Sequence, residues 1–169
     1  MTDMLRFALA LLLGSVLSAC SLPDLGSTER LQFAAAPDPV DSYNPPLHPN
    51  ETEELRALIN EYADYYQVPR KLVHRVVIRE STHRPWARNG PYYGLMQILP
   101  ATARTMGFRG APEDLLDAET NLKYAVKYLR GAWLLSDGDH GTAVSWYARG
   151  YYYEAKRQGM LVETGLRPG

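Results

Sequence analysis

Residues 72–103 decide the fold, and they read LVHRVVIRESTHRPWARNGPYYGLMQILPATA. Within this stretch, Val73, Val76 and Val77 recur at the spacing of one helix face and predict a helix that buries them. Glu80 follows Val76 by four positions and Val77 by three, so helical geometry carries its side chain onto the same apolar stripe. A charged carboxylate is costly on a buried face, and Glu80 therefore breaks the pattern.

The position of Glu80 has two interpretations. Burial raises the pKa of a carboxyl, which would keep Glu80 protonated near neutral pH and able to donate a proton as a general acid. Alternatively, the residue lies at a frayed helix end or pairs with Arg75, Arg79 or Arg84. Periodicity alone leaves both interpretations open.

Helix signals continue on both sides of this segment. Upstream, Asn50 can cap a helix with Glu53 in the capping-box position, and Pro69 suits the first turn of the central helix. Between residues 81 and 93, prolines and an Asn-Gly-Pro turn predict a loop. Further helices are predicted from Pro100 to near Gly107, after Asp117 as a cap, and over residues 140–148 and 151–158. No segment shows sustained alternation of apolar and polar residues, so we expect a mainly α fold.

Composition and charge exclude several classes of function. Eighteen Lys and Arg against 19 Asp and Glu give a net charge of −1, so no strong basic field is present and we predict no nucleic-acid partner. The single cysteine, Cys20, excludes an intrachain disulfide and a multi-cysteine metal site. The four histidines lack HExxH-like spacing, so we predict no metal and no cofactor. Twelve Tyr against three Phe favour a wetted, carbohydrate-binding cleft.

Four motifs follow one another in a fixed order. They are Glu80-Ser81, GLMQILPATA at 94–103, Asn121 followed by Tyr128-Leu129, and WYARG at 146–150. This ordered set closely resembles the soluble lytic transglycosylase (SLT) domain of the lysozyme-like superfamily, of the glycoside hydrolase family 23 type. The resemblance covers roughly residues 50–160. It implies a compact, multi-helix, lysozyme-like domain with a substrate cleft.

The resemblance implies that Glu80 alone serves as acid and base. In the family's mechanism, the glutamate protonates the glycosidic oxygen between N-acetylmuramic acid and N-acetylglucosamine of peptidoglycan. The 2-acetamido group stabilises the positive charge, and the C6 hydroxyl attacks C1 to leave a 1,6-anhydromuramoyl end. Two alternatives stay open: a lysozyme-type hydrolase on the same fold, which would use a second carboxyl group, or a catalytically silent peptidoglycan-binding lipoprotein.

Five further residues are candidates for substrate binding. By resemblance, Tyr147 reaches towards the glutamate and orients it, while the amide of Gln97 can bridge sugar hydroxyl or acetamido groups. Ser81 can bind substrate or terminate the helix, and Leu99 and Trp146 can line the acetamido subsite or pack in the core. Two positions depart from the family pattern. Ala148 stands where the family generally has Asn, and Arg149 where it has a small residue.

The first residues predict export and anchoring. An apolar run over residues 7–13 is too short to span a bilayer and suits the core of a secretory signal. Leu17-Ser18-Ala19-Cys20 resembles a bacterial lipobox, which implies lipidation at Cys20; Ser21 in place of Asp then favours the periplasmic face of the outer membrane. Alternatively, Cys20 is an ordinary residue of a signal or membrane anchor. No protein partner can be named. The predicted organisation is a signal peptide (1–19), lipidated Cys and Pro-rich linker (20–49), catalytic domain (50–160) and tail (161–169).

Overall fold

The computed structural model describes residues 43–169, which form a mainly helical unit as the sequence predicts. Among these residues, no helix combines the length and the apolar character needed to cross a membrane. The helices are α1 (Glu53–Tyr65), α2 (Arg70–Ser81), α3 (Pro100–Thr105), a short 3₁₀ helix (Pro112–Leu116), α4 (Ala118–Leu134), α5 (His140–Arg149) and α6 (Tyr152–Gln158).

The core is built around α4, which packs against α1, α3, α5 and the 3₁₀ helix. Its inward face is fully buried at Leu122, Ala125 and Leu129. Helix α2 contributes the predicted stripe, because Val73 and Val76 are also fully buried. The 3.6-residue periodicity therefore identified the buried face of α2 correctly.

A two-stranded hairpin interrupts the predicted loop between α2 and α3. Strands β1 (Arg88–Asn89) and β2 (Tyr92–Tyr93) pair antiparallel, with Arg88 opposite Tyr93 and Asn89 opposite Tyr92. Gly90, in the connecting turn, has a φ of 56°. Strands of two residues are too short to leave an alternating pattern in the sequence, so only the turn was predictable.

The residues that cap α1 and α4 can be compared with the two caps that the sequence predicts. The Asp117 carboxylate accepts from the Thr120 amide at 2.8 Å and caps α4 as predicted. The predicted cap at Asn50 was wrong, because Thr52 Oγ1 accepts from the Leu55 amide at 3.1 Å and caps α1. Asn50 has a φ of 67°, outside the extended region that an N-cap adopts.

Both ends of the described chain contact the helical unit. The guanidinium of Arg56, on α1, donates hydrogen bonds to the carbonyl oxygens of Pro45 and Pro46. At the other end, Leu161 and Thr164 are buried. Residues 43–49 and 161–169 therefore contribute contacts of their own, while the predicted signal segment and most of the predicted linker lie outside the described residues.

Candidate active site

Glu80 lies in the last turn of α2, directly above the apolar core. Val76 and Val77 beneath it are fully buried, and its own side chain is 23% exposed. The helix ends one residue later, and Thr82 follows in the left-handed conformation with a φ of 53°. The carboxyl therefore lies at the boundary between the core and an open cleft.

Burial raises the pKa of the Glu80 carboxyl, in the direction that the sequence predicts. The Arg79 guanidinium opposes this effect, with its Nε 3.4 Å from Glu80 Oε1, but the net pKa stays above the ordinary value. A carboxyl with a raised pKa keeps its proton to higher pH, which is the property that a general acid needs.

The carboxyl faces a cleft of about 340 Å³ that four parts of the chain enclose. These parts are α2, the β1–β2 hairpin, the turn that follows it and the end of α5. The lining residues are Arg79, Glu80, Asn89, Tyr92, Gln97, Tyr147 and Ala148. Three of the predicted site residues, Glu80, Gln97 and Tyr147, thus meet at one place although α2 and α5 are far apart in the sequence.

The turn over residues 94–98 forms the floor of this cleft. Gly94 has a φ of 75°, and a Cβ there would collide with the side chain of Asn121 and the carbonyl of Leu115. Gln97 also has a positive φ, 49°. Only glycine fits the space at Gly94, which explains why the GLMQ stretch begins with that residue.

The side chain of Gln97 supports this turn and leaves one atom for a ligand. Its Nε2 donates to the carbonyl oxygens of Gly94 at 2.8 Å and Ala87 at 3.0 Å. Because both neighbouring atoms are carbonyl oxygens, the amide atom that faces them must be the nitrogen, and each of its two protons is used in one of these bonds. The remaining polar atom, Oε1, is the acceptor that Gln97 can offer in the cleft.

Asn121 fixes the turn onto α4 and is fully buried. Its Oδ1 accepts from the Met96 amide at 2.9 Å. Its Nδ2 donates to the carbonyl oxygens of Tyr93 and Leu115, both at 2.8 Å. Asn121 therefore satisfies three backbone groups at once and has a structural place beneath the cleft.

Tyr147 is buried behind Glu80, and its hydroxyl donates to the Met96 carbonyl at 2.8 Å. Burial, then the charge of Glu80, then Tyr128 raise the pKa of Tyr147 well above its ordinary value. The hydroxyl therefore stays protonated at all physiological pH values. Because its one proton is committed to Met96, the Tyr147 hydroxyl has no proton left to donate to Glu80.

The other three predicted substrate-binding residues lie outside the lining of this cleft. Ser81 is buried and donates to the Val77 carbonyl at 3.3 Å. Leu99 is half-buried at the start of α3. Trp146 is half-buried, and the guanidinium of Arg149 lies 4.0 Å from the centre of its ring. Their roles in substrate binding stay predictions.

The lining also contains a residue that the sequence did not identify. Asn89 reaches the cleft only because β1 folds back against β2, and its sequence signal was that of a turn residue. Tyr92, one of the twelve tyrosines, also lines the cleft and is 41% exposed. Tyr93 and Tyr151 are buried, so the tyrosine excess serves the core as well as the cleft.

A known protein family matches the part of the chain that forms the cleft. The family model described as the transglycosylase SLT domain matches residues 57–159, more than half of the sequence. The chain belongs to the transglycosylase SLT domain family. The matched range of this SLT domain contains Glu80, Gln97, Asn121 and Tyr147.

The chain is also similar to part of a curated protein. The SLT domain is 32% identical over 88 residues to a membrane-bound lytic murein transglycosylase E of Buchnera aphidicola subsp. Acyrthosiphon pisum (strain APS). The match covers 47% of this chain and 40% of that relative, so less than half of either protein is compared. No solved structure matches the chain significantly.

A second group of polar side chains lies apart from the cleft. Glu51, His74 and His83 are all buried, and one ligand atom from each lies within 4.8 Å of the others. Burial lowers the pKa of His74 to about 4 and also lowers that of His83, although the charge of Glu51 works in the opposite direction on both. The sequence predicted no metal ligands, because these three residues share no motif spacing.

Proposed function

We propose that this SLT domain is a peptidoglycan lytic transglycosylase that cleaves the β-1,4 bond between N-acetylmuramic acid and N-acetylglucosamine. The observation that carries the proposal is the half-buried carboxyl of Glu80, with a raised pKa, in an open cleft. Family membership supports it, as does the similarity to a lytic murein transglycosylase.

The composition of the cleft favours a mechanism with one acid. Most glycoside hydrolases use a pair of carboxyl groups, about 5–5.5 Å or 6.5–9.5 Å apart. Among the described residues that line the cleft, Glu80 is the only one with a carboxyl group. A single carboxyl group at the cleft favours a mechanism in which the substrate supplies the second function, as in a transglycosylase.

In the proposed reaction, protonated Glu80 gives its proton to the glycosidic oxygen as the bond from that oxygen to C1 breaks. The 2-acetamido group of the muramic residue stabilises the positive charge at C1. The Glu80 carboxylate then removes the proton of the C6 hydroxyl, and the C6 oxygen bonds to C1. The products are a free 4-hydroxyl on N-acetylglucosamine and a 1,6-anhydromuramoyl end, and Glu80 is protonated again.

The other residues of the cleft have distinct proposed roles. Gln97 Oε1 accepts a hydrogen bond from a sugar hydroxyl or acetamido N–H. Tyr147 accepts from protonated Glu80 and holds it in the cleft. Tyr92 and Asn89 contact the saccharide from the hairpin side.

Digestion of purified peptidoglycan, followed by mass spectrometry, tests this function. We expect anhydromuropeptides from the wild-type chain and a loss of at least about 100-fold in their rate of formation for Glu80→Gln. Glu113→Gln is the matched control, because Glu113 is exposed on the 3₁₀ helix and does not line the cleft. Reducing muramic ends instead of anhydro ends would favour the hydrolase, and binding without any product would favour the silent wall-binding protein.

We also propose the location that the first residues predict. Residues 1–19 are a signal peptide, Cys20 carries lipid, 20–49 form a linker, 50–160 are the catalytic domain and 161–169 a tail. The chain then lies at the periplasmic face of the outer membrane, and the name of the membrane-bound relative is consistent with an envelope location. Cys20→Ala is expected to move the chain from the membrane fraction to the soluble fraction; retention of the variant in the membrane would contradict lipid anchoring.

A further inference from the structure

Three buried side chains converge where the chain before α1 packs against α2 and the residues that follow α2. Glu51 precedes α1, His74 lies within α2 and His83 follows α2 by two residues. Glu51 Oε1 is 3.5 Å from His74 Nδ1 and 3.5 Å from His83 Nε2. The three side chains are between 0% and 3% exposed. None of them lines the proposed active-site cleft.

Hydrogen bonding does not account for this convergence. An N–H···O bond joins atoms 2.7–3.2 Å apart, and both histidine contacts to Glu51 are longer. Neither ring nitrogen of His83 has a hydrogen-bond partner within the described part of the chain. A buried imidazole without partners is unusual, because its desolvation is not compensated.

The separations match the coordination shell of a tetrahedral metal. Zinc binds imidazole nitrogen at about 2.0–2.1 Å and carboxylate oxygen at about 2.0–2.2 Å, which places neighbouring ligand atoms about 3.3–3.5 Å apart. Glu51 Oε1 therefore already lies at ligand spacing from both rings. A modest approach of the two rings to each other would complete a three-ligand face.

Neighbouring side chains hold His74 and Glu51 in place through hydrogen bonds, as the residues around metal ligands commonly do. Asn60 Oδ1 lies 2.9 Å from His74 Nε2, and in the tautomer protonated at Nε2 it accepts that proton. The lone pair of His74 Nδ1 then faces the oxygen of Glu51, an arrangement that a cation bound to both atoms stabilises. Arg56 donates from Nε to Glu51 Oε1 at 3.0 Å and fixes the carboxylate.

We propose that Glu51, His74 and His83 form a binding site for one divalent transition-metal ion, with zinc as the best fit and solvent in the fourth position. Two imidazoles favour zinc, nickel or copper, whereas calcium and magnesium prefer oxygen ligands. The site would tie the chain before α1 to α2 and is structural, because it lies apart from Glu80.

Zinc binding to the full chain tests the proposal without any assay of activity. The chain is freed of metal with a chelator, dialysed, and titrated with zinc sulfate by calorimetry. We expect one zinc per chain and, at about 100 times the Kd, a rise in Tm of about 5 °C or more. Calcium and magnesium chlorides are expected to leave Tm unchanged. Cobalt in place of zinc should give the intense visible absorption of tetrahedral coordination.

Two ligand variants and one control assign the site. His83→Gln and His74→Gln keep polar side chains of similar size and should lose the zinc-dependent rise in Tm. His140→Gln, on α5 and outside the cluster, should keep it. Failure of the wild-type chain to bind zinc would overturn the proposal regardless of whether the variants fold. Zinc binding that survives in both ligand variants would overturn it as well.

Discussion

At the residue scale, the property that suits Glu80 to its proposed role as an acid also lowers the stability of the domain. The pKa of Glu80 is raised in the folded chain, first because of burial, so folding favours its protonated form. The stabilisation this gives is fully present below the pKa of the unfolded glutamate and is lost as the pH rises through the folded value. The charged carboxylate therefore destabilises the domain near neutral pH.

Glu80→Gln is consequently expected to raise Tm at pH 7 while it abolishes activity. The amide keeps the size of the side chain but carries no charge to desolvate. The gain over the wild type should shrink as the pH falls below the ordinary pKa of a glutamate, where both side chains are neutral. Thermal unfolding from pH 3 to pH 8 measures this difference; a variant less stable than the wild type at pH 7 would contradict the argument.

Arg79 sets the pH range of the same carboxyl. It lowers the pKa of Glu80 through its charge, and its own side chain is 53% exposed. Arg79→Gln should therefore raise the pKa of Glu80, and the alkaline limb of the kcat/KM profile should move to higher pH. The shift should be under about one pH unit, because exposed pairs interact weakly. Arg75→Gln, also exposed on α2, serves as the control and should leave the limb in place.

At the scale of secondary-structure elements, one buried amide joins the turn at residues 94–98 to α4. Asn121→Leu would leave the Met96 amide and the Leu115 carbonyl without their Asn121 partner, whereas the Tyr93 carbonyl would keep its bond from the Ile98 amide at 3.1 Å. Each unsatisfied buried group costs about 1–3 kcal/mol, so we expect a loss of at least about 2 kcal/mol in the free energy of unfolding. Urea denaturation measures it. Lys123→Ala, exposed on the same helix, should change stability by less than about 0.5 kcal/mol.

Tyr147 connects α5 to that same turn, and a second tyrosine provides its matched control. Tyr147→Phe leaves the Met96 carbonyl unsatisfied and should cost about 1–3 kcal/mol of stability together with most of the activity. Tyr151 donates a similar bond to the Tyr128 carbonyl at 2.8 Å but does not line the cleft. Tyr151→Phe should lose less stability than Tyr147→Phe, because the Tyr128 carbonyl lies within α4 and keeps its helical hydrogen bond, and it should keep its kcat. Equal losses of activity in both variants would refute a specific role for Tyr147.

At the scale of the whole molecule, the sequence predicts those features of the fold that depend on the spacing of residues close together in the chain. Periodicity located the helices, and the register of Glu80 against Val76 and Val77 predicted a carboxyl at the edge of the buried stripe, as the structure shows. Asn89 reaches the cleft only through the hairpin, which no local pattern predicts. Glu51 and His74 are brought together by the packing of α1 against α2, so their separation in sequence carries no signal.

Arg56 links these separate parts of the molecule. It donates from Nε to Glu51 Oε1 at 3.0 Å and from Nη2 to Glu51 Oε2 at 2.6 Å. It also donates hydrogen bonds to the carbonyl oxygens of Pro45 and Pro46. The side chains of the pair are 11% and 1% exposed, so the ion pair is buried. Removing Arg56 alone leaves a buried charge unpaired. The contribution of the Arg56–Glu51 ion pair to stability is therefore measured by comparing a variant that lacks Arg56 with one that lacks both residues.

Arg56→Leu leaves the Glu51 carboxylate buried without its main partner and is expected to cost about 3–5 kcal/mol in the free energy of unfolding. The double variant Arg56→Leu with Glu51→Leu removes the unpaired charge as well and should be more stable than the single variant. Urea denaturation with chelator present compares the two without any contribution from bound metal. A double variant that is less stable than Arg56→Leu would mean that Glu51 stabilises the fold through its other contacts, which are the two histidine rings and the His48 amide that donates to Oε2 at 2.8 Å, rather than through Arg56.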